Sequence, residues 1–157
     1  MNMKSLLTLI LVFITSIQIA PAQSGSAGPV ETAVEEVVLS FFKAMRGSDS
    51  SAMEAYLATG VTLHTVAFSE EGTPVLRQTD IRAFMNSVGG SAPGSLDEQI
   101  TSLTVHADGN LSTAWMAYNF FYNGEFSHCG VNTMNLIQKE GGWKIFSIVD
   151  TRRTDGC

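Results

Sequence analysis

Residue types that do chemistry are scarce in this sequence. Its 157 residues hold two cysteines, three histidines and nine Lys plus Arg, against fifteen Asp plus Glu. So few cations in an acidic chain argue against nucleic acid and anionic lipid as partners, because both repel it. Neither Cys129 nor Cys157 has the spacing of a zinc site or a redox motif. His64, His106 and His128 fall in three separate strand-like segments, so no metal set is expected. Phosphate-binding loops, dinucleotide fingerprints and Ser-His-Asp signatures are missing, and no cofactor is expected. After the first two dozen residues no apolar run is long enough to cross a membrane.

The N-terminal stretch reads as an address rather than as fold. Lys4 precedes an apolar run from Leu6 to about Ile19, closed by Ala20-Pro21-Ala22. That is the layout of a cleaved secretory signal peptide, residues 1–22, and it implies a secreted or periplasmic protein. Residues 23–29, small and flexible, form a lead-in, and 30–157 form one domain with a sizeable core. Without Lys4 the formal charge of −6 becomes about −7. An oxidising compartment permits a Cys129–Cys157 disulfide. Two free thiols and a bridge between chains are the alternatives, and geometry decides among them.

Val30, Val34, Val37, Val38, Phe41, Phe42 and Met45 recur at helical spacing, and Gly47 stops the helix. Asp49 or Ser50 caps a second, short helix over 50–58, and Thr79 or Asp80 caps a third over 80–88. A β-branched strand covers 60–68, and 69–75 reads as a turn region. The rest is a meander whose strands cover 98–107, 111–122, 126–138 and 143–151, with turns at Asp108-Gly109-Asn110, Asn123-Gly124 and Glu140-Gly141-Gly142. Helices followed by antiparallel hairpins predict an α+β layer with helices on one sheet face. The last strands are apolar on both faces, so the other face calls for a cover, and a homodimer through it is the simplest.

The segments "VVLSFFKAMRGSDSSAMEAYLA" and "NTMNLIQKEGGWKIFSIVDT", in this order of elements, resemble the nuclear transport factor 2-like (NTF2-like) superfamily over nearly all of residues 30–152. The likeness is to its small secreted bacterial members, labelled SnoaL-like or lumazine-binding; the label supplies no ligand. The resemblance implies a cone, about three N-terminal helices packed on a curved, mostly antiparallel sheet around a pocket. It also implies a range of roles, from isomerases, cyclases and dehydratases to binding proteins, so the fold does not fix the activity.

Strand alternation and hairpin register nominate site residues. A three-residue loop at 140–142 would pair Lys139 with Trp143, which places Asn132 opposite Asp150, Met134 opposite Ile148 and Leu136 opposite Phe146. Slipping that register by one would part Asn132 from Asp150. Asp150, His64 and His128 are the catalytic candidates, as general bases near neutral pH. Asn132 can orient a carbonyl, Arg152 can clamp an anion, and Trp115 and Tyr118 can line a pocket. Each has a plain structural alternative: a satisfied core or dimer-face histidine, an internal amide bond, a strand-end Asp150–Arg152 ion pair. A small apolar or carbonyl-containing ligand in the cone is the expected partner. A cofactor-independent isomerase, cyclase or dehydratase, or a dimerisation domain, is the alternative.

Overall fold

The computed structural model describes residues 28–157, so the leader and most of the lead-in lie outside it. The elements in chain order are α1 (Pro29–Arg46), α2 (Ser50–Glu54), β1 (Leu57–Phe68), β2 (Pro74–Thr79), α3 (Ile81–Gly89), β3 (Leu96–Asp108), β4 (Leu111–Tyr122), β5 (Glu125–Lys139) and β6 (Gly142–Thr151). They form one six-stranded sheet of order β2-β1-β6-β5-β4-β3, in which only the β1–β6 pair is parallel.

Local chemistry sets the boundaries. Pro29, placed in the lead-in by the sequence, opens α1, where its missing N–H costs nothing. Glu31 sits in the first turn of α1 and Lys43 and Arg46 in the last, each complementing the helix dipole. Asp49 Oδ1 accepts from Ala52 N at 2.9 Å and Asp80 Oδ1 from Ala83 N at 2.8 Å, capping α2 and α3. The second helix ends four residues earlier than its pattern suggests, because Leu57 and Ala58 already belong to β1. The supposed turn region 69–75 contains the start of β2, an edge strand with charged and polar side chains that broke the alternation signal.

The core lies between α1 and the inner sheet face. Val34, Val38, Phe41, Met116, Met134, Leu136 and Ile145 are fully buried there. Each such side chain contributes about 1.5–3 kcal/mol through its removal from water.

Bulges on β6, β3 and β5 shape the sheet. On β6, Asn135 pairs with Ser147 and Leu136 with Ile145, so Phe146 is an extra residue and is exposed. On β3, Ile100 pairs with Tyr118 and Ser102 with Ala117, which makes Thr101 extra. On β5, His128 pairs with Phe120 and Phe126 with Phe121, which makes Ser127 extra. Bulges bend and twist a strand, and here they curl the sheet around the helices.

The β5–β6 register corrects the sequence reading in an instructive way. Lys139 pairs with Gly142, not Trp143, so the hairpin loop has one residue fewer than expected. That slip alone would have separated Asn132 from Asp150. The bulge at Phe146 restores the count, and Asn132 faces Asp150 and Met134 faces Ile148. Leu136 faces Ile145 rather than Phe146.

Cys129 and Cys157 form a disulfide, with Cα atoms 5.8 Å apart. It pins the tail beyond β6 to β5, beside a backbone bridge in which Cys129 and Arg153 exchange N–H···O bonds of 2.9 Å.

Candidate functional site

The cone is hollow. A cavity of about 230 Å³ lies between α1, α3 and the inner sheet face. Phe41, Phe42, Met45, Val88, Met134 and Ile148 make its apolar wall. Polar side chains gather toward one end: Glu98 from β3, Tyr118 from β4, His128 and Asn132 from β5, Asp150 from β6 and Arg152 just past it.

These groups form two linked pairs. Asn132 Nδ2 donates to Glu98 Oε1 at 2.6 Å. Arg152 Nε donates to Asp150 Oδ2 at 2.7 Å, so the strand-end ion pair weighed from sequence is present. It is not a surface pair on the acid's side, since Asp150 is only 6 % exposed. Its other oxygen, Oδ1, is buried without a hydrogen-bond partner among the described residues. A buried orphan acceptor is costly, and a donor supplied by a ligand or water would satisfy it.

Glu98 is the residue that sequence reasoning missed. Burial, opposed by the Asn132 bond and reinforced by the nearby Asp150 charge, pushes its pKa up to about 7. The residue as a whole keeps part of its surface, but it lines the cavity. A signal existed. Leu96, Glu98 and Ile100 alternate in phase, which puts an acid among inward apolar positions. The Thr101 bulge hid it: counted back from Val105 and Leu103 without the bulge, Glu98 falls on the outer face.

The other candidates separate cleanly. His128 lines the cavity, packs edge-on against Tyr118 and tilts over Phe120 with ring centroids 5.0 Å apart. Burial, helped by the Arg152 charge, lowers its pKa below the usual imidazole value, which favours the neutral ring. Tyr118 is buried, and its hydroxyl donates to the Thr151 carbonyl at 2.9 Å, so that proton is committed to the backbone. Burial pushes its phenol pKa above the ordinary range.

His64 and Trp115 do not reach the cavity. Leu63 pairs with Ile148 and faces in, so His64, beside Val149, faces out. Trp115 stands between the fully buried Ala114 and Met116 and is 54 % exposed on that same outer face. Two members of the expected site therefore belong to the opposite side of the sheet. Above Gly130, on β5, there is no open space for a ligand. The Tyr118 ring and the Thr151 carbonyl fill the position where its side chain would stand.

The arrangement is an apolar chamber with a carboxyl of near-neutral pKa, an ion-paired carboxylate and an amide between them. The fold around it is shared with known structures. No protein-family model matches the chain, and neither does any curated protein sequence. Solved structures do match: an NTF2-like protein of unknown function from Pseudomonas putida KT2440 superposes with a TM-score of 0.64 at 18% identity, covering 84% of this chain and 92% of that one. The chain has the NTF2-like fold.

Structures described by other roles superpose with similar scores. A proposed dehydratase of the NTF2-like family from Streptomyces avermitilis matches with a TM-score of 0.61 and 14% identity, over 78% of this chain and 95% of that one. The CaMKII hub of S. rosetta matches with a TM-score of 0.61 and 18% identity, over 82% and 100%. Identities this low carry the NTF2-like fold and nothing finer.

Proposed function

We propose that the cone binds a small organic molecule, apolar over most of its length, with a polar group met by Glu98, Asn132 and Asp150. The observation that carries this reading is the chamber itself, with an apolar wall and a few convergent polar groups at one end. At about 230 Å³ it falls below the range of about 300–1,000 Å³ typical of drug-sized pockets, so the ligand is of single-ring or short-chain size. Native mass spectrometry of protein purified from its source is expected to show a retained small molecule. Ser87, exposed on α3 yet lining the cavity, offers a plug. Ser87→Trp is expected to abolish uptake of a ring-sized probe such as indole while moving the melting temperature by no more than about 2 °C, as for a surface substitution. Unchanged uptake by that variant would count against the cone as the binding site.

A second reading is catalytic, and Glu98 favours it. A carboxyl with a pKa of about 7 holds both protonation states near neutral pH, as proton transfer to and from a substrate requires. Asn132 orients it, and the Asp150–Arg152 pair fixes the charge beside it. The reaction class is a cofactor-independent isomerisation, cyclisation or dehydration. Asp150, held by Arg152, gives up the role of base to Glu98. A protein proposed as a dehydratase is among the structural neighbours.

The outer sheet face supports assembly. Trp115 is exposed on it from β4, with Phe146 raised by its bulge on β6. We propose that a second copy covers this face, and structures named as a CaMKII hub and a CaMKII association domain show the same fold. Trp115→Lys is expected to convert a dimer into a monomer in analytical ultracentrifugation; a wild-type chain that sediments as a monomer at micromolar concentration would end this idea. The secretory leader and an extracytoplasmic location are part of the same proposal, and mass spectrometry of the mature N-terminus tests them.

A further inference from the structure

The arginines of this protein are not spread evenly. Residues 28–157 hold eight Lys plus Arg, and three of them, Arg77, Arg152 and Arg153, stand around the polar end of the cone. Arg152 lines the cavity and also both grooves that flank its mouth. One groove adds Arg77, with Thr65 and Thr79. The other adds Arg153, with Ser127 and Thr154. Thr65 pairs with both Arg77 and Asp150, so these three positions share the inner face of the sheet at the rim.

The donors there are under-used. Arg152 spends only Nε on Asp150, and its side chain is 57% exposed. Its terminal nitrogens make no hydrogen bond among the described residues, and a guanidinium fork matches a carboxylate two bonds at a time. Arg77 makes one long bond, from Nη2 to the Phe68 carbonyl at 3.3 Å. Behind this rim the sign reverses, since Glu98 and Asp150 lie inward of the arginines on the cavity wall. An anion is attracted to the mouth and repelled from the chamber. A cation meets the opposite order.

Building on the cone as a ligand site, we propose that its mouth is an anion subsite anchored by Arg152 and reinforced by Arg77 and Arg153. The ligand is then a small organic acid: its carboxylate stays at the rim, and its ring or chain enters the apolar chamber past Glu98. The charge order fixes which end goes in, and it brings a carbon near the middle of the molecule to the Glu98 carboxyl.

Three probes on one skeleton test this: 3-phenylpropanoate, 3-phenylpropanamide and 3-phenylpropylamine, each titrated calorimetrically at pH 7 into wild type, Ser87→Trp and the double variant Arg77→Gln/Arg153→Gln. The acid is expected to bind at least about tenfold tighter than the amide, and the amine more weakly than either, as charge-assisted recognition requires. The double variant keeps the Arg152 anchor, so it should weaken the acid severalfold and leave the amide unchanged; an acid affinity unmoved by it would overturn the reinforcing role of Arg77 and Arg153. Raised salt should weaken the acid alone. If the amide or amine binds as tightly as the acid, and Ser87→Trp still abolishes that binding, the anion subsite is wrong and the cone reading stands. If none of the three binds to the wild type, both fall.

Discussion

Gly130→Ala is expected to unfold the protein or to cost it about 3 kcal/mol or more, at the upper end of what overpacking does. The reason is local and steric. A Cβ at residue 130 would collide with the Thr151 carbonyl oxygen and lie 2.8 Å from both Cε1 and the hydroxyl of Tyr118. The side chain can turn away, but the carbonyl is backbone. Moving it would break the Tyr118 hydroxyl bond at 2.9 Å and pull on Thr151, whose own hydroxyl accepts from Val131 N at 3.1 Å. A pair of denaturation curves separates these contributions. Tyr118→Phe removes the phenol oxygen, so on that background Gly130→Ala should recover only a small part of the loss if the carbonyl clash dominates. Full recovery would assign the whole penalty to the Tyr118 hydroxyl. A wild-type denaturation midpoint for Gly130→Ala alone would refute the close approach.

Glu98→Gln is expected to stabilise the protein at pH 8 and to leave it nearly unchanged at pH 4. The carboxyl has its ordinary pKa near 4.5 in the unfolded chain and about 7 in the fold. Between these values the folded protein keeps a proton that the unfolded chain has already lost. Stability therefore falls as pH rises through that window and is flat above it. The full cost, reached above pH 7, is of order 2–3 kcal/mol at about 1.4 kcal/mol per unit, reduced somewhat because the cavity opens to solvent. Glutamine keeps the acceptor for Asn132 Nδ2 and removes the ionisation, so the pH slope should vanish between 4.5 and 7. Equal slopes in wild type and variant would show that Glu98 titrates normally. If the chain is an enzyme, the same substitution should abolish turnover, which pairs a gain in stability with a loss of function, as strained active sites do.

The sequence carried the fold well where periodicity was long and clean. The stripe of α1 and the hairpin turns at Asp108-Gly109-Asn110 and Asn123-Gly124 needed nothing beyond local chemistry. The short polar edge strand β2 carried no such signal, because an edge strand tolerates charges on both faces. The site was legible in part. Asn132 and Asp150 were paired correctly, yet through a loop length that was wrong and a bulge that was unseen. Alternation cannot report a bulge, because one extra residue exchanges inside and outside for everything beyond it. That is why Glu98 stayed hidden behind Thr101. His64 failed for a simpler reason: alternation groups residues by face without saying which face is concave. Trp115 is out of phase with Tyr118 on β4, so alternation already set the two on opposite faces.

The bulge at Phe146 also decides what can be altered without touching the chemistry. Between the Glu140-Gly141 turn and Asp150 it works like a slack joint in a ruler, so the position of the acid is counted from the bulge and not from the turn. The turn is therefore a permissive place to splice in a tag or a longer loop, because register errors entering there have somewhere to be absorbed. A deletion of Phe146 acts on the bend and not on the register. It would straighten β6 yet leave Ile145, Ile148 and Asp150 on the chamber face, because Ser147 alone would then separate Ile145 from Ile148 and Asn132 would still face Asp150.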